Sequence, residues 1–363
     1  MSAPPSERPS DGLRCLIAAG GTAGHVLPSL AVAEALRERG VAVTFAGSPD
    51  RVEARLVPEA GFPFDPFHVS GFPRRPGLAL AKALAQAAAA PVECLQILGR
   101  RRPDVVLGGG GYVAGPMVLA ARLRGIPAAL TEADAHLGLA NRLAVPYARR
   151  VFLAYDIPGR NGEKYRVVGR PVPAAHLGVD PAEARRHFGL PTDGPVLAFF
   201  GALAGARSIN DFAVTTYGAD GPHVLHLSGE RDYERLRTAV TRPDYVLQAS
   251  TDSFGAALAA ADLAVSRAGG TVWELAATGT PAVLVPYPHA TGDHQTLNAR
   301  HFVDGGGAVL VPDDALDARA AATIGELLGD PDRLARMSAA MRSLARPHAA
   351  EQIADELVAL ARG

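Results

Sequence analysis

Cysteine is scarce: Cys15 and Cys94 are the only two in 363 residues. Two thiols make no disulfide framework, and with no secretory leader in the opening stretch a reducing cytoplasm is expected. An excess of either charge is lacking too. The 36 Lys and Arg balance 37 Asp and Glu, for a formal net charge of −1, which gives no support to nucleic-acid binding. No apolar run is long enough to cross a bilayer. Residues 77–98 come closest, and Lys82, Gln86, Pro91 and Glu93 interrupt them. The dinucleotide fingerprint is missing: the first glycine turn reads GGTAGH, not G-x-G-x-x-G, and residues 41–45 lead into Ala46-Gly47-Ser48 with no acid for a ribose. His289, Asp293 and His294 match no strong metal-ligand spacing, so neither metal nor cofactor is expected.

What is present is the composition of a soluble globular protein, 48% hydrophobic and 20% charged, at a length that favours two domains. Residues 1–12, rich in Pro and Ser, read as a disordered lead-in. Strand-like RCLIAA runs into Gly20-Gly21-Thr22-Ala23-Gly24-His25 and an apolar-periodic helix. Further strands at residues 41–45, 105–107, 128–130, 150–154 and 165–168 alternate with helices near 52–58 and 117–123. This βαβ alternation predicts a parallel sheet with helices on both faces. Gly169-Arg170-Pro171-Val172-Pro173 reads as an interdomain linker stiffened by proline. The second half repeats the design, with strands at 195–200, 224–228, 245–248, 263–265 and 282–285 and a helical end from 315 to 362. The expectation is an α/β protein of two doubly wound domains, 13–168 and 169–340, facing across a cleft, with residues 341–363 as a closing helix.

Four glycine turns follow strands, at Gly20, Gly108, Gly201 and Gly269-Gly270. Such turns let backbone N–H groups approach a phosphate at a helix N-terminus, or they simply permit a tight turn. Four in one chain favour a shared anion-binding cleft. His25, directly after the first turn, suits a general base, or it hydrogen-bonds a neighbour. Glu274 by itself reads as a first-turn acid complementing the helix dipole, though a carboxylate also accepts from a sugar diol. Gln295 and Asn298 offer sugar contacts or loop and cap chemistry. Phe72, Arg74 and Arg75 precede an apolar helix, 78–90, that carries Leu78 and Lys82, and Arg100-Arg101-Arg102 closes the segment. By physics alone this is a core helix with a solvated basic end; read functionally, it is an interfacial membrane patch.

These motifs together resemble the MurG family, bacterial glycosyltransferases that add N-acetylglucosamine to lipid-linked muramyl-pentapeptide. GGTAGHVLP at 20–28 is similar to that family's GGTGGHxxP, and GGYVAGP at 110–116 to its GGYVSGP. The resemblance covers nearly the whole chain after residue 12. It implies two Rossmann-like domains in the GT-B arrangement, with the last helix crossing back to the first domain. It implies inverting transfer from UDP-N-acetylglucosamine to the 4-hydroxyl of an undecaprenyl-linked acceptor, at the inner face of the cytoplasmic membrane, with peripheral attachment. His25 would be the base, helped or replaced by Glu132 or Asp134. Donor contacts would come from Thr22, Ala23, Gly24, Asp134, Arg170, Leu203, Thr251, Gly270, Thr271, Val272, Glu274 and Gln295. Gly20, Gly21, Gly24, Gly110, Gly111 and Tyr112 would hold the acceptor diphosphate, and Phe72, Arg74, Arg75, Leu78 and Lys82 would touch the membrane.

The sequence also departs from the family pattern. GALAGA replaces GGSQGA and puts Leu203 where a serine stands. Thr131-Glu132-Ala133-Asp134 replaces HEQN, Arg170-Pro171-Val172-Pro173 replaces NPVR, and RAGGTVWE is one residue shorter than RSGALTVSE. Three other readings share parts of the pattern. One is a GT-B enzyme with another lipid or natural-product acceptor. The second is an idle UDP-sugar-binding homologue, against which His25, Glu274 and Gln295 argue. The third is a dinucleotide-dependent oxidoreductase, which NAD(P) binding would test.

Overall fold

The computed structural model describes residues 12–69, 77–201 and 205–363, with side chains for all but 78–85 and 87. Phe72, Arg74, Arg75 and Leu203, the side chains of Leu78 and Lys82, and the lead-in as far as residue 11 lie outside the described residues.

Two compact units divide the chain. The first holds the described residues as far as Ala133, together with Leu137–Val168 and His348–Gly363; the second holds Asp134–His136 and Gly169–Pro347. Seven strands build the first sheet: β1 (Arg14–Ala19), β2 (Ala42–Gly47), β3 (Phe64–Pro66), β4 (Val105–Gly110), β5 (Ala128–Glu132), β6 (Arg150–Leu153) and β7 (Tyr165–Val167). Their order is β3-β2-β1-β4-β5-β6-β7, every pair parallel. The second sheet has six: β8 (Val196–Phe200), β9 (His223–Leu227), β10 (Tyr245–Gln248), β11 (Leu263–Ser266), β12 (Ala282–Leu284) and β13 (Ala308–Leu310). Its order is β10-β9-β8-β11-β12-β13, again all parallel. Both are doubly wound, Rossmann-like α/β sheets.

The apolar strands are continuous because both sheet faces are covered. On β1 the period of two divides the residues between two cores. Cys15, Ile17 and Ala19 pack with the helices Ala23–Glu38 and Ala349–Arg362. Leu16 and Ala18 pack on the other face, with Cys94, Ile97, Met117 and Val118. Both cysteines are free and buried, and burial pushes the Cys94 thiol up to about 12. In the second unit Leu197 and Phe199 of β8 meet Ile209, Phe212 and Ile324.

Several elements differ from the sequence reading. The helix expected over 78–90 continues through Pro91 to Arg101. Proline removes one backbone bond there, and burial of Ala90, Cys94, Ile97 and Leu98 outweighs that loss. The helix expected at 117–123 starts at Ala114. β3 and β13, three residues each, were too short to register as periodic patterns. The segment read as a linker is packed, with Arg170 8% and Val172 4% exposed. The second unit runs to Pro347, and residue 341 falls inside the helix Pro331–Leu344.

Candidate functional site

In each sheet the chain changes winding direction once, between β1 and β4 and between β8 and β11. Loops at the carboxyl ends of such strand pairs diverge and leave room for a ligand. Gly20–His25 follows β1, and Gly110–Tyr112 ends β4, so strand order alone brings these two turns together. In the second unit the same relation joins the turn that begins at Gly201 to Arg267–Gly270.

The turns of the first unit interlock. Gly20 N–H donates to Gly110 O at 3.4 Å. Gly111 has φ +75°, and a β-carbon there would stand 2.2 Å from Gly20 O. Gly110, at φ +105°, leaves no room for one against the His25 ring. His25 Nδ1 is 3.1 Å from Gly20 O and 3.3 Å from Thr22 Oγ1. A carbonyl only accepts, so Nδ1 carries the proton and Nε2 is the basic nitrogen of the ring. Thr22 precedes the helix whose first turn contains Ala23, Gly24 and His25. The Tyr112 ring lies against Gly21, and burial raises its phenol above the usual range.

Behind this turn is a residue that the sequence did not single out. Glu53 is fully buried; Oε2 accepts from Gly21 N–H at 3.0 Å and Oε1 from Ser48 N–H at 3.1 Å. The Gly21 N–H is therefore turned to a side chain of its own unit, not offered to a diphosphate.

Glu132 is similarly engaged. Oε1 accepts from Ala133 N–H at 2.9 Å, and Oε2 from Gly138 N–H and Asn141 Nδ2, each at 2.9 Å. These bonds span residues 133–141 and make the carboxylate a brace for its loop. Asp134 accepts from Asn298 Nδ2 at 3.0 Å. Asn298, 1% exposed, also donates to Ala268 O and accepts from Ala135 N–H. Its amide is spent within the protein, which favours loop and cap chemistry over a sugar contact for Asn298.

The donor-side candidates of the second unit fall into two groups. Glu274 stands in the first turn of Thr271–Thr278, its side chain 13% exposed. The Arg170 guanidinium lies on Gly270, where a β-carbon would come within 2.4 Å of it. A cation thus adjoins the helix start, where an anion also meets the dipole's positive end. Gln295 Oε1 accepts from Tyr287 N–H at 2.9 Å, and its Nε2 faces Gly269. In the other group, Val272 is fully buried, so its side chain belongs to the core. Thr251 Oγ1 accepts from Ser253 N–H at 3.1 Å, which shapes the turn before helix Phe254–Ala260. His294 Nδ1 is 2.9 Å from Thr291 O, and its ring stacks on His136 at 5.6 Å. Among the described residues no three His, Cys, Asp or Glu side chains cluster as metal ligands.

Two further groups hold these turns. Arg267 donates to Ser208 Oγ at 2.8 Å, to Asp313 Oδ1 at 2.5 Å and to the carbonyls of Val285 and Pro286. Beneath Gly205 runs a buried chain of polar groups. Asn210 Nδ2 donates to Ser228 O at 2.9 Å and Asp232 Oδ2 at 3.0 Å, which leaves Asn210 Oδ1 to accept from His226 Nε2 at 2.9 Å. His226 Nδ1 then accepts from Tyr245 OH at 2.8 Å. Burial pushes the His226 imidazole down to about 3, so it is neutral. A histidine inside the apolar strand HVLHL was the available signal for this network.

The glycosyltransferase family 28 N-terminal domain matches residues 15–153, and the family 28 C-terminal domain matches 196–353. The chain belongs to glycosyltransferase family 28. Within that family it falls in the MurG group. A Salinibacter ruber protein is 41% identical over 95% of this chain and 96% of its own length. An Alkalilimnicola ehrlichii protein is 43% identical over 93% and 96%. Both are named UDP-N-acetylglucosamine--N-acetylmuramyl-(pentapeptide) pyrophosphoryl-undecaprenol N-acetylglucosamine transferase. The crystal structure of Acinetobacter baumannii MurG superposes with a TM-score of 0.75 at 26% identity, covering 96% of this chain and 99% of that one. The family match spans both sheets, so the family 28 architecture extends to both Rossmann-like units.

Proposed function

We propose that this chain transfers N-acetylglucosamine from UDP-N-acetylglucosamine to the 4-hydroxyl of undecaprenyl-diphospho-N-acetylmuramoyl-pentapeptide, in peptidoglycan biosynthesis. The observation that carries the reading is likeness along the whole chain to relatives whose name states this transfer. The first unit takes the acceptor and supplies the base, and the second takes the nucleotide sugar.

The transfer proceeds with inversion. His25 Nε2 removes the proton of the acceptor hydroxyl as its oxygen attacks the anomeric carbon. The carbon–oxygen bond to the diphosphate breaks on the opposite face, and UDP leaves. The Nδ1 contact with Gly20 O supports this role, because it fixes the tautomer that can accept at Nε2. The charge on the departing diphosphate is met by backbone N–H groups at the start of Thr271–Thr278 and by the Arg170 guanidinium. Glu274 accepts from the ribose diol, and Gln295 Nε2 faces the sugar. Glu132 and Asp134 shape the loop after β5. No helix among the described residues is long and apolar enough to cross a membrane; attachment to the inner face of the cytoplasmic membrane is peripheral, through the segment from residue 72 to 82.

The test is a donor screen with purified protein and a lipid-linked muramyl-pentapeptide acceptor analogue. Consumption of UDP-N-acetylglucosamine, with release of UDP and a β-linked disaccharide product, is the expected result. Transfer of a different sugar, or binding of UDP-sugar with no turnover on this acceptor, would overturn the reading.

A further inference from the structure

Glu274 does not stand alone in the second unit. His176 Nδ1 lies 3.1 Å from Glu274 Oε1, and the two side chains are 14% and 13% exposed. The pair meets at ion-pair distance without the alignment of a hydrogen bond. The imidazole therefore abuts the carboxylate without locking it, and the carboxylate can still turn its acceptors to a ligand.

The chain around His176 is built to hold the ring there. Pro173 opens a single 3-10 turn, Ala174–His176, closed by His176 N–H to Pro173 O at 2.9 Å. The turn lies directly on Gly255, where a β-carbon would come within 2.5 Å of His176 Cα. The ring packs edge-on to Phe254 at 5.7 Å, and Phe254 packs in turn on Phe200 at the end of β8. Backbone, ring and strand end thus restrict the imidazole to the side of the helix that carries Glu274. Pro173 is also where this sequence departs from the arginine of the NPVR pattern, and His176 comes three residues later.

We infer that His176 is a positioning residue for the donor ribose: it orients the Glu274 carboxylate toward the diol and so sets the preference for ribonucleotide over deoxyribonucleotide donors. The inference rests on the reading of Glu274 as the ribose acceptor. The surrounding contacts explain why the ring is in place, and the contact with Glu274 is the one that changes a ligand-binding group.

The test compares UDP with 2′-deoxy-UDP by calorimetry on the full chain, alongside donor kinetics. The native protein should favour UDP by about tenfold or more, the scale of one hydrogen bond to a charged group. Glu274→Ala should abolish that preference. His176→Ala should reduce it to within about threefold and raise KM for the donor, with kcat nearly unchanged. His176→Asn, whose Nδ2 falls close to the position of the imidazole Nδ1 and can donate to Oε1, should restore most of it. If H176A fails to fold, His176→Leu replaces it, filling the space with no polar atom, with the same loss expected. An H176A or H176L protein with the native preference overturns the proposal while E274A still loses it. E274A that keeps the native preference removes the ribose reading itself, and the proposal with it.

Discussion

The Glu53 carboxylate, with no exposed surface, accepts the N–H of Gly21 across 32 residues of sequence. A β-carbon on Gly20 would sit 2.2 Å from its Oε1, so the glycine turn and the glutamate fit only each other. Glu53→Ala leaves the Gly21 and Ser48 N–H groups without this acceptor in a buried place, at a cost of about 1–3 kcal/mol each. The expected outcome is a lower melting temperature together with a higher KM for the acceptor. Thermal unfolding and acceptor-dependent kinetics on the same preparation check both.

His25→Ala should lower kcat by about two to four orders of magnitude, the usual contribution of a positioned general base. UDP affinity should stay close to native, because Arg170, Glu274 and Gln295, which meet the nucleotide, lie in the second unit. Calorimetry with UDP and single-turnover kinetics separate the two effects. His25→Gln should not restore turnover, since an amide fills the space without basicity. Native-like turnover in either variant would remove His25 from the mechanism.

The fold class was legible because its signals are local. Apolar runs such as RCLIAA, glycine turns and βαβ spacing all act within a few residues. Strand order is not local, and it decides which turns meet. Nothing in the neighbourhood of Gly20 states that β4 lies beside β1, yet that pairing brings Gly110 and Gly111 to His25. The groups that brace the turns were missed for the same reason. Glu53 carries no local mark of its role, and Arg267 gains its meaning from Ser208 and Asp313, at distances of 59 and 46 residues. Asn298 was open to sugar contact or to loop and cap chemistry because its amide could serve either purpose, and only burial and three internal bonds decide between them. His226 and His176 were visible as residues, but not as partners of Asn210 and Glu274.

The bonds around Glu132 distinguish a brace from a base. Three donors converge on its carboxylate, from Ala133, Gly138 and Asn141. Glu132→Ala should therefore destabilise the protein by about 1–3 kcal/mol, chiefly through the buried Asn141 donor left unpaired. Asn141→Ala should give part of the same loss, and the double variant should fall short of the sum, because the two residues share a bond. The pH dependence of kcat in any folded variant should keep the native form, as titration of His25 would still govern it. A shifted acidic limb in E132Q would instead place Glu132 in the proton transfer.

His226 makes the second unit sensitive to mild acid. Unfolded, its imidazole takes up a proton near the ordinary value of about 6.5; folded, burial holds that value down to about 3. Between these limits the unfolded chain binds more protons than the folded one. Stability is therefore full above about pH 6.5 and falls as the pH drops toward 3. The whole loss is about 5 kcal/mol. Asp232, Asp244 and Asp355, held below the usual carboxylate range by hydrogen bonds and arginine partners, add their losses only below about pH 4. The window from pH 6.5 to 4.5 thus isolates histidine. Burial and the nearby Arg346 also lower His301, which contributes there in the same direction. Denaturant midpoints of the native chain should drop steadily across this window. His226→Gln, which cannot take up a proton, should be less stable at pH 7 but show a distinctly shallower fall, with His301 supplying the remainder. Parallel slopes for the two proteins would mean that His226 is protonated in the folded state and that the tautomer assigned through Asn210 is wrong.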